Sequence, residues 1–374
     1  MQKHAENIVN KIFELKEYEN FLILSELYSD KINISEKDKI KWQKLNEFTK
    51  SLYTEIKKIH KNTELIEYES TLGHGKEPNL TVWNQVFGNK TFDFIEKNSL
   101  ADKLLNKTLN DNDKDLLINF VRNNPPKYHC IMALTHFSTS HTFFRKLFTQ
   151  AGNGRYASMP LFEPEMFNSS MQADIDELAA FTEKLANYLN NFEQFHITSA
   201  NGTDIIIVKE DRKVIPDTGK LNKPKSFGNL PAGEAFLAPV EGKSHGILVL
   251  EYAPTRKLNS PIRLTVENGA IVKIEGGEPY FNELTQKINA HPNNKFVAEL
   301  GIGTNKHAKM LDNILESEKI FGTVHIAFGD NHAFGGCNQA PFHEDYLVLN
   351  PTVYGIDKNG NKKVILKDKS FFLE

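Results

Sequence analysis

The sequence predicts an α/β chain: an N-terminal parallel-sheet α/β domain over residues 1–195, followed by a β-rich α+β domain over residues 196–374. Three observations carry this. Up to about residue 195, short buried-strand patterns alternate with helix patterns, as a parallel sheet with crossover helices requires. Beyond it, short alternating strands crowd together around Asn-Gly turns. The 374 residues are enough for two domains or one large α/β unit.

Along the first domain, FLILSEL at 21–27 reads as a buried strand, and apolar residues spaced three and four apart predict a helix over 36–59. ELIEY at 64–68 reads as a second strand. Residues 70–88 read as a Gly/Pro-punctuated loop anchored by Trp83 and Phe87, whose His74 and Glu77 either reach a site at the sheet end or cap a turn. Residues 128–134 read as a strand leading into a helix whose Ser/Thr-rich start caps its own amides or takes an anion, with His136 and His141 flanking it. A further helix is expected over about 173–190.

In the second domain, FHITS, TDIIIVKE, FLAPVE, GILVLEYA and IRLTVENGAIVKIEGG read as strands. Hairpin turns are expected at Asn201–Gly202, Asn268–Gly269 and 357–361. Two helices interrupt them, over 280–288 and 306–317.

Composition narrows the class. Apolar content of 40% and charged content of 25% fit a soluble globular protein. A net charge of −3 gives no bulk attraction to nucleic acid or anionic membrane. The lysines of the first domain alternate with acids and describe a solvated helix face. No apolar stretch approaches the ~20 residues that span a bilayer, and the charged N-terminus lacks the apolar core of a secretory signal, so the expected location is cytoplasmic. Two cysteines, Cys130 and Cys337, exclude a disulfide scaffold and fit a reducing compartment.

The chemistry lies in the last third. Glu234, Glu299, His325, His343 and Asp345 stand mostly at the ends of short apolar runs and near glycine. Three carboxylates and two imidazoles form the oxygen-and-nitrogen donor set of hydrolytic two-metal sites. On a strand, His343 and Asp345 share a face with Glu344 opposite, and His325 shares a face with Ala327 while Val324 and Ile326 turn the other way. Any one of these residues alone would also fit a satisfied core or loop-rim polar group.

The order GE, E-x-G-x-G-x-N, GT-x-H-I-A, H-x-D resembles the metal-binding half of the aminopeptidase T and aminopeptidase S family of metallo-aminopeptidases, the thermophilic leucyl aminopeptidase type. The likeness covers roughly residues 130–374 and includes SMP at 158–160, MQAD at 171–174, SANGTD at 199–204 and GNLPAGEAFLAPVEG at 228–242. It implies that Glu234, Glu299, His325, His343 and Asp345 are metal ligands for two divalent ions (zinc, cobalt or manganese); Glu299, central in the order of the motifs, is the expected bridge. It also implies a peptide substrate with a free N-terminus and a homodimer. This chain departs from that family in a short segment between His325 and His343, and in His332 at the position of a tyrosine. His332 is thus a candidate catalytic residue beside Glu299, as oxyanion donor, proton shuttle or ligand, or else an exposed loop residue. More distantly the chain resembles the iron-dependent 2,5-dihydroxypyridine dioxygenases, which keep H-x-D, carry histidine at the Glu299 position and lack the equivalents of Glu234 and His325. The alternatives to an aminopeptidase are therefore a mononuclear Fe(II) dioxygenase and a non-catalytic binding protein on the same scaffold.

Overall fold

The structure is a computed structural model, and it describes residues 1–32, 34–254 and 256–374. The chain divides into two compact units, Met1–Asn168 with Gly219–Leu230, and Ser169–Thr218 with Pro231–Glu374.

The first unit is built on five parallel strands, in the order Thr63–Glu69, Phe21–Leu27, Cys130–Thr135, Arg155–Pro160, Phe227–Asn229. All six residues of Cys130–Thr135 are buried, as a central strand covered on both faces demands. The helix Glu36–Ile59 starts at an Ser35 cap that accepts from the Asp38 amide. It buries Trp42, Leu45, Thr49, Leu52 and Ile56, one stripe at alternating three- and four-residue steps.

The loop at 70–88 differs from expectation at its end. Asn79 accepts from the Val82 amide and opens a helix, Leu80–Phe87, so Trp83 and Phe87 are buried on a helix rather than in a loop. His74 and Glu77 are used internally. The Ser138 amide donates to His74 Nδ1, and the amides of Phe143 and Phe144 donate to the two Glu77 oxygens. Glu77 thus fills the positive end of the helix Phe143–Gln150 that an external anion would need. The buried Glu26, at the carboxyl end of its strand, likewise accepts from Ser70, from the Thr71 amide and from the Phe137 amide. The chain's own carboxylates therefore satisfy the polar groups where open parallel sheets usually receive ligands.

The second unit contains two antiparallel sheets. The eight-stranded one includes Gln194–Thr198, Asp204–Val208, His245–Ala253, Arg256–Glu267 and Ala270–Glu275. Asn268 and Gly269 both have positive φ, 49° and 70°, the backbone that a tight hairpin requires. The five-stranded sheet runs in the order His343–Val348, Val324–Gly329, Val297–Gly303, Glu234–Leu237, Ile215–Asp217. One core cluster takes Phe195, Ile197, Ile205 and Leu248 from the first sheet and Leu237, Leu300, Ile302, Val324, Ile326, Phe328 and Val348 from the second.

The unit boundary falls before residue 195, because the helix Ile175–Leu189 packs on Ile215–Asp217 and Glu234–Leu237 and puts Leu185, Ala186 and Leu189 into that cluster. Residues 219–230 return to the first unit to supply its fifth strand. The helix expected over 306–317 shrinks to Ile314–Ser317, capped by Asn313. Its predicted start is diverted by side-chain bonds: the His307 amide donates to Asn305, and the Lys309 amide to Glu316.

Candidate metal centre

Antiparallel register puts the five candidates on one face of the five-stranded sheet. Glu299 stands opposite Ala327, and Ala327 opposite Asp345. Gly301 stands opposite His325, Gly329 opposite His343, and Gly303 opposite Glu234. The alternate residues Leu300, Ile302, Val324, Ile326 and Val348 face the core, which fixes the register, since a one-residue slip would exchange the faces. Glu344 turns away, as its place between His343 and Asp345 requires, and binds Tyr280, Tyr346 and Lys287.

The glycines of E-x-G-x-G make room on this face. A Cβ on Gly301 would lie 2.0 Å from His325 Nε2, so the imidazole lies directly over that residue. A Cβ on Gly303 would lie 2.1 Å from the Ile320 carbonyl oxygen. The motif's Asn305, 1% exposed, donates to the carbonyls of Ser170 and Ala232, and the Thr304 amide donates to the Gly233 carbonyl. These bonds fix the segment just before Glu234.

The side chains form two donor groups, Glu234–Glu299–His325 and Glu299–His343–Asp345, and in each a ligand atom of every member lies within 4.8 Å of the others. His325 Nε2 is 3.1 Å from Glu234 Oε2 and 3.3 Å from Glu299 Oε1. His343 Nε2 is 3.5 Å from Glu299 Oε2 and 3.7 Å from Asp345 Oδ1. Glu299 is common to both groups and turns one oxygen to each. His343 Nδ1 meets the Asp330 carbonyl oxygen at 2.7 Å, which sets the ring with Nε2 toward the carboxylates.

The electrostatics fit a bound cation. Glu234 and Glu299 are each 7% exposed and His325 1%, an expensive concentration of carboxylate unless it is compensated. Burial pushes the Glu299 carboxyl up, with Asp345 and Glu234 adding to the effect. Burial opposes the charged form of His343, but Asp345 and Glu299 outweigh it and lift the imidazole to about 10. The charged form of Asp345 is likewise disfavoured by burial, yet His343 beside it brings the carboxyl down to about 2. Three buried donor atoms, Glu234 Oε2, His325 Nδ1 and Asp345 Oδ1, make no well-aligned hydrogen bond among the described residues, and Glu234 Oε2 has only the His325 imidazole beside it, at 3.1 Å. The two that belong to carboxylates are the kind of atom a divalent metal would satisfy. The residues present thus fit the metal the sequence implied.

Two participants escape the sequence motifs. Lys319, 1% exposed, places Nζ 2.5 Å from Glu234 Oε1 and 2.7 Å from Glu318 Oε1. Burial raises the Glu318 carboxyl to about 8 despite Lys319. The signal available was the adjacent Glu-Lys pair six residues before His325, flanked by the apolar runs NIL and IFGTV. His332 is exposed on the short turn His332–Phe334 and belongs to neither donor group. In the same turn the Phe334 ring packs edge-on against His343, with centroids 6.0 Å apart, and against Phe236 at 5.6 Å. Cys337 is exposed, with its Sγ 3.9 Å from Arg212, and Cys130 is buried.

The family model described as NicX, 2,5-dihydroxypyridine 5,6-dioxygenase, matches residues 163–360, more than half of the chain and all five donors. The chain belongs to this family. It is the relative that the motifs placed second. Two solved structures share the fold. The 2,5-dihydroxypyridine dioxygenase from Pseudomonas putida KT2440 has a TM-score of 0.69 at 15% identity, over 99% of this chain and 96% of that one. Wild-type AmpT from Thermus thermophilus has a TM-score of 0.60 at 14% identity, over 99% and 98%. No curated protein matches. No helix among the described residues is long and apolar enough to cross a membrane.

Proposed function

We propose that this member of the family is a metal-dependent aminopeptidase that removes N-terminal residues from peptides. The observation that carries the proposal is the position of Glu299, whose two oxygens each face a different histidine and so join two three-donor groups through one carboxylate. Glu234 and His325 would hold one divalent ion, His343 and Asp345 the other, and Glu299 would bridge them. Such ions supply Lewis acidity and a water ionised near neutral pH.

The chain's own groups supply the setting. Asp330 and Asn305 hold His343 and the Glu234 segment in place. Phe236 and Phe334, both partly exposed, border the donor face with apolar surface that excludes water and accepts an apolar substrate group. His332, on the same turn as Phe334, is the candidate to donate a hydrogen bond to the oxygen that gains charge, or to carry a proton.

The family match favours a second reading, in which an Fe(II)-dependent oxygenase cleaves a hydroxylated pyridine ring. The Glu299–His343–Asp345 group offers one imidazole and two carboxylates, whereas the iron sites of oxygenases commonly use two imidazoles and one carboxylate, and this weighs toward hydrolysis. The test is direct. Metal-reconstituted protein is assayed with amino-acid anilides and free-amine peptides against N-acetylated controls, and in parallel for oxygen uptake with 2,5-dihydroxypyridine and Fe(II). Cleavage restricted to free amines supports the proposal. Oxygen uptake without peptide cleavage replaces it with the second reading.

A further inference from the structure

The two donor groups share Glu299 but are not equivalent. In the Glu299–His343–Asp345 group, His343 is oriented by the Asp330 carbonyl, and the His343 and Asp345 side chains keep 19% and 18% of their surface exposed, which gives an ion a path in. In the Glu234–Glu299–His325 group, His325 is 1% exposed and its Nδ1 has no hydrogen-bond partner among the described residues to orient the ring. That group also contains a built-in cation. The Lys319 ammonium, itself 1% exposed, sits 2.5 Å from Glu234 Oε1, commits that oxygen and offsets the carboxylate's charge. Like charges repel most strongly where water cannot screen them.

We propose that Lys319 sets the order and affinity of metal loading: the Glu299–His343–Asp345 group takes the first divalent ion, and the Lys319 charge holds the Glu234–Glu299–His325 group in reserve, at least tenfold weaker. This rests on the reading of the five residues as a two-metal donor set. Lys319 is buried and acts through Glu234, so it is a positioning residue. The second ion then binds in proportion to its supply, and the chain passes between singly and doubly loaded forms without any change of fold.

The experiment is calorimetric titration of the metal-stripped full chain with Mn²⁺ alone, and separately with Zn²⁺ alone, with bound metal counted by elemental analysis. The native chain should show two equivalents whose affinities differ at least tenfold. Lys319→Gln keeps amide donors for Glu234 and Glu318 but removes the charge. It should tighten the second equivalent at least tenfold and leave the first within about threefold. Lys319→Arg keeps the charge and should keep the gap, and it serves as the deciding variant if the glutamine form does not fold. Two equivalents of equal affinity in the native chain overturn the proposal and leave the two-metal reading standing. An unchanged gap in Lys319→Gln, or a closed gap in Lys319→Arg, does the same. A native chain that binds no ion overturns both.

Discussion

Gly301→Ala tests the donor face with a single methyl group. Gly301 lies in a strand and its φ is not in the positive range that favours glycine, so alanine costs nothing in backbone strain. The whole effect falls on the ring above it. The new Cβ would stand 2.0 Å from His325 Nε2, against a normal contact of about 3.5 Å, so the imidazole must retreat by about 1.5 Å. Ligand distances at a metal tolerate about 0.2 Å. His325 is 1% exposed and its neighbours Val324 and Ile326 are fixed in the core, so the strand offers little slack for compensation. The overpacking should cost about 1–3 kcal/mol, which lowers Tm by roughly 2–12 °C. Metal uptake by the Glu234–Glu299–His325 group should fall by at least about 10–100-fold, the scale of losing an orienting partner. The Glu299–His343–Asp345 group should retain its ion. Elemental analysis after dialysis, with thermal unfolding alongside, reads both effects. A Gly301→Ala protein that retains native metal content and native activity would refute the placement of His325 as a ligand.

Two other perturbations separate the centre from the scaffold. His332→Ala should lower kcat about 10²–10³-fold with little change in KM and with normal metal content, and His332→Tyr should keep measurable activity; full activity in the alanine variant would make His332 an ordinary exposed turn residue. Burial lifts the Glu77 carboxyl from its usual 4.5 to about 7, against the pull of the Phe143 and Phe144 amides. Between those values the native state holds a proton that the unfolded state has released, so this group's contribution to stability is complete below about pH 4.5 and is lost as pH rises through 7, by about 3 kcal/mol. The half-buried His136, lowered by burial to about 4, gives the opposite slope between about 4 and 6.5, so the quantity to measure is the difference between native and Glu77→Gln urea stabilities across pH 4–8. That difference should shrink by about 3 kcal/mol toward high pH, and a pH-independent difference would contradict the assignment.

What was legible in the sequence was whatever a local period encodes. The helix Glu36–Ile59 was readable from its apolar spacing, and the hairpin at Asn268–Gly269 from its turn residues. The alternation around His325 and within His343-x-Asp345 assigned faces correctly, because the side-chain period of a strand admits only two answers. Where two local signals competed, the reading failed. Pro78 and Asn79 look like loop punctuation, yet Asn79 is the cap that starts a helix. The pattern over 306–317 is helical in period, but Asn305 and Glu316 take the amides that would begin the helix.

The features that no local pattern could supply are the ones set by long-range register. The three-residue strand Phe227–Asn229 joins the parallel sheet only because Arg155–Pro160 offers it an edge, so a boundary drawn from composition shifts misses the crossing back. Lys319 is the sharper case. A lysine after Ser-Glu normally reads as surface, and its burial follows from where Glu234 lies, 85 positions earlier in the chain. The sheet brings Glu234 opposite Gly303, and the absence of a side chain at Gly303 lets the segment carrying Lys319 and Ile320 close over that edge. The glycines of E-x-G-x-G thus do two separate things: Gly301 seats the imidazole of His325, and Gly303 admits the backbone that delivers the ammonium. The stretch that reads as a metal signature therefore also governs where a buried ammonium meets Glu234, and that placement lies in the register of the strands.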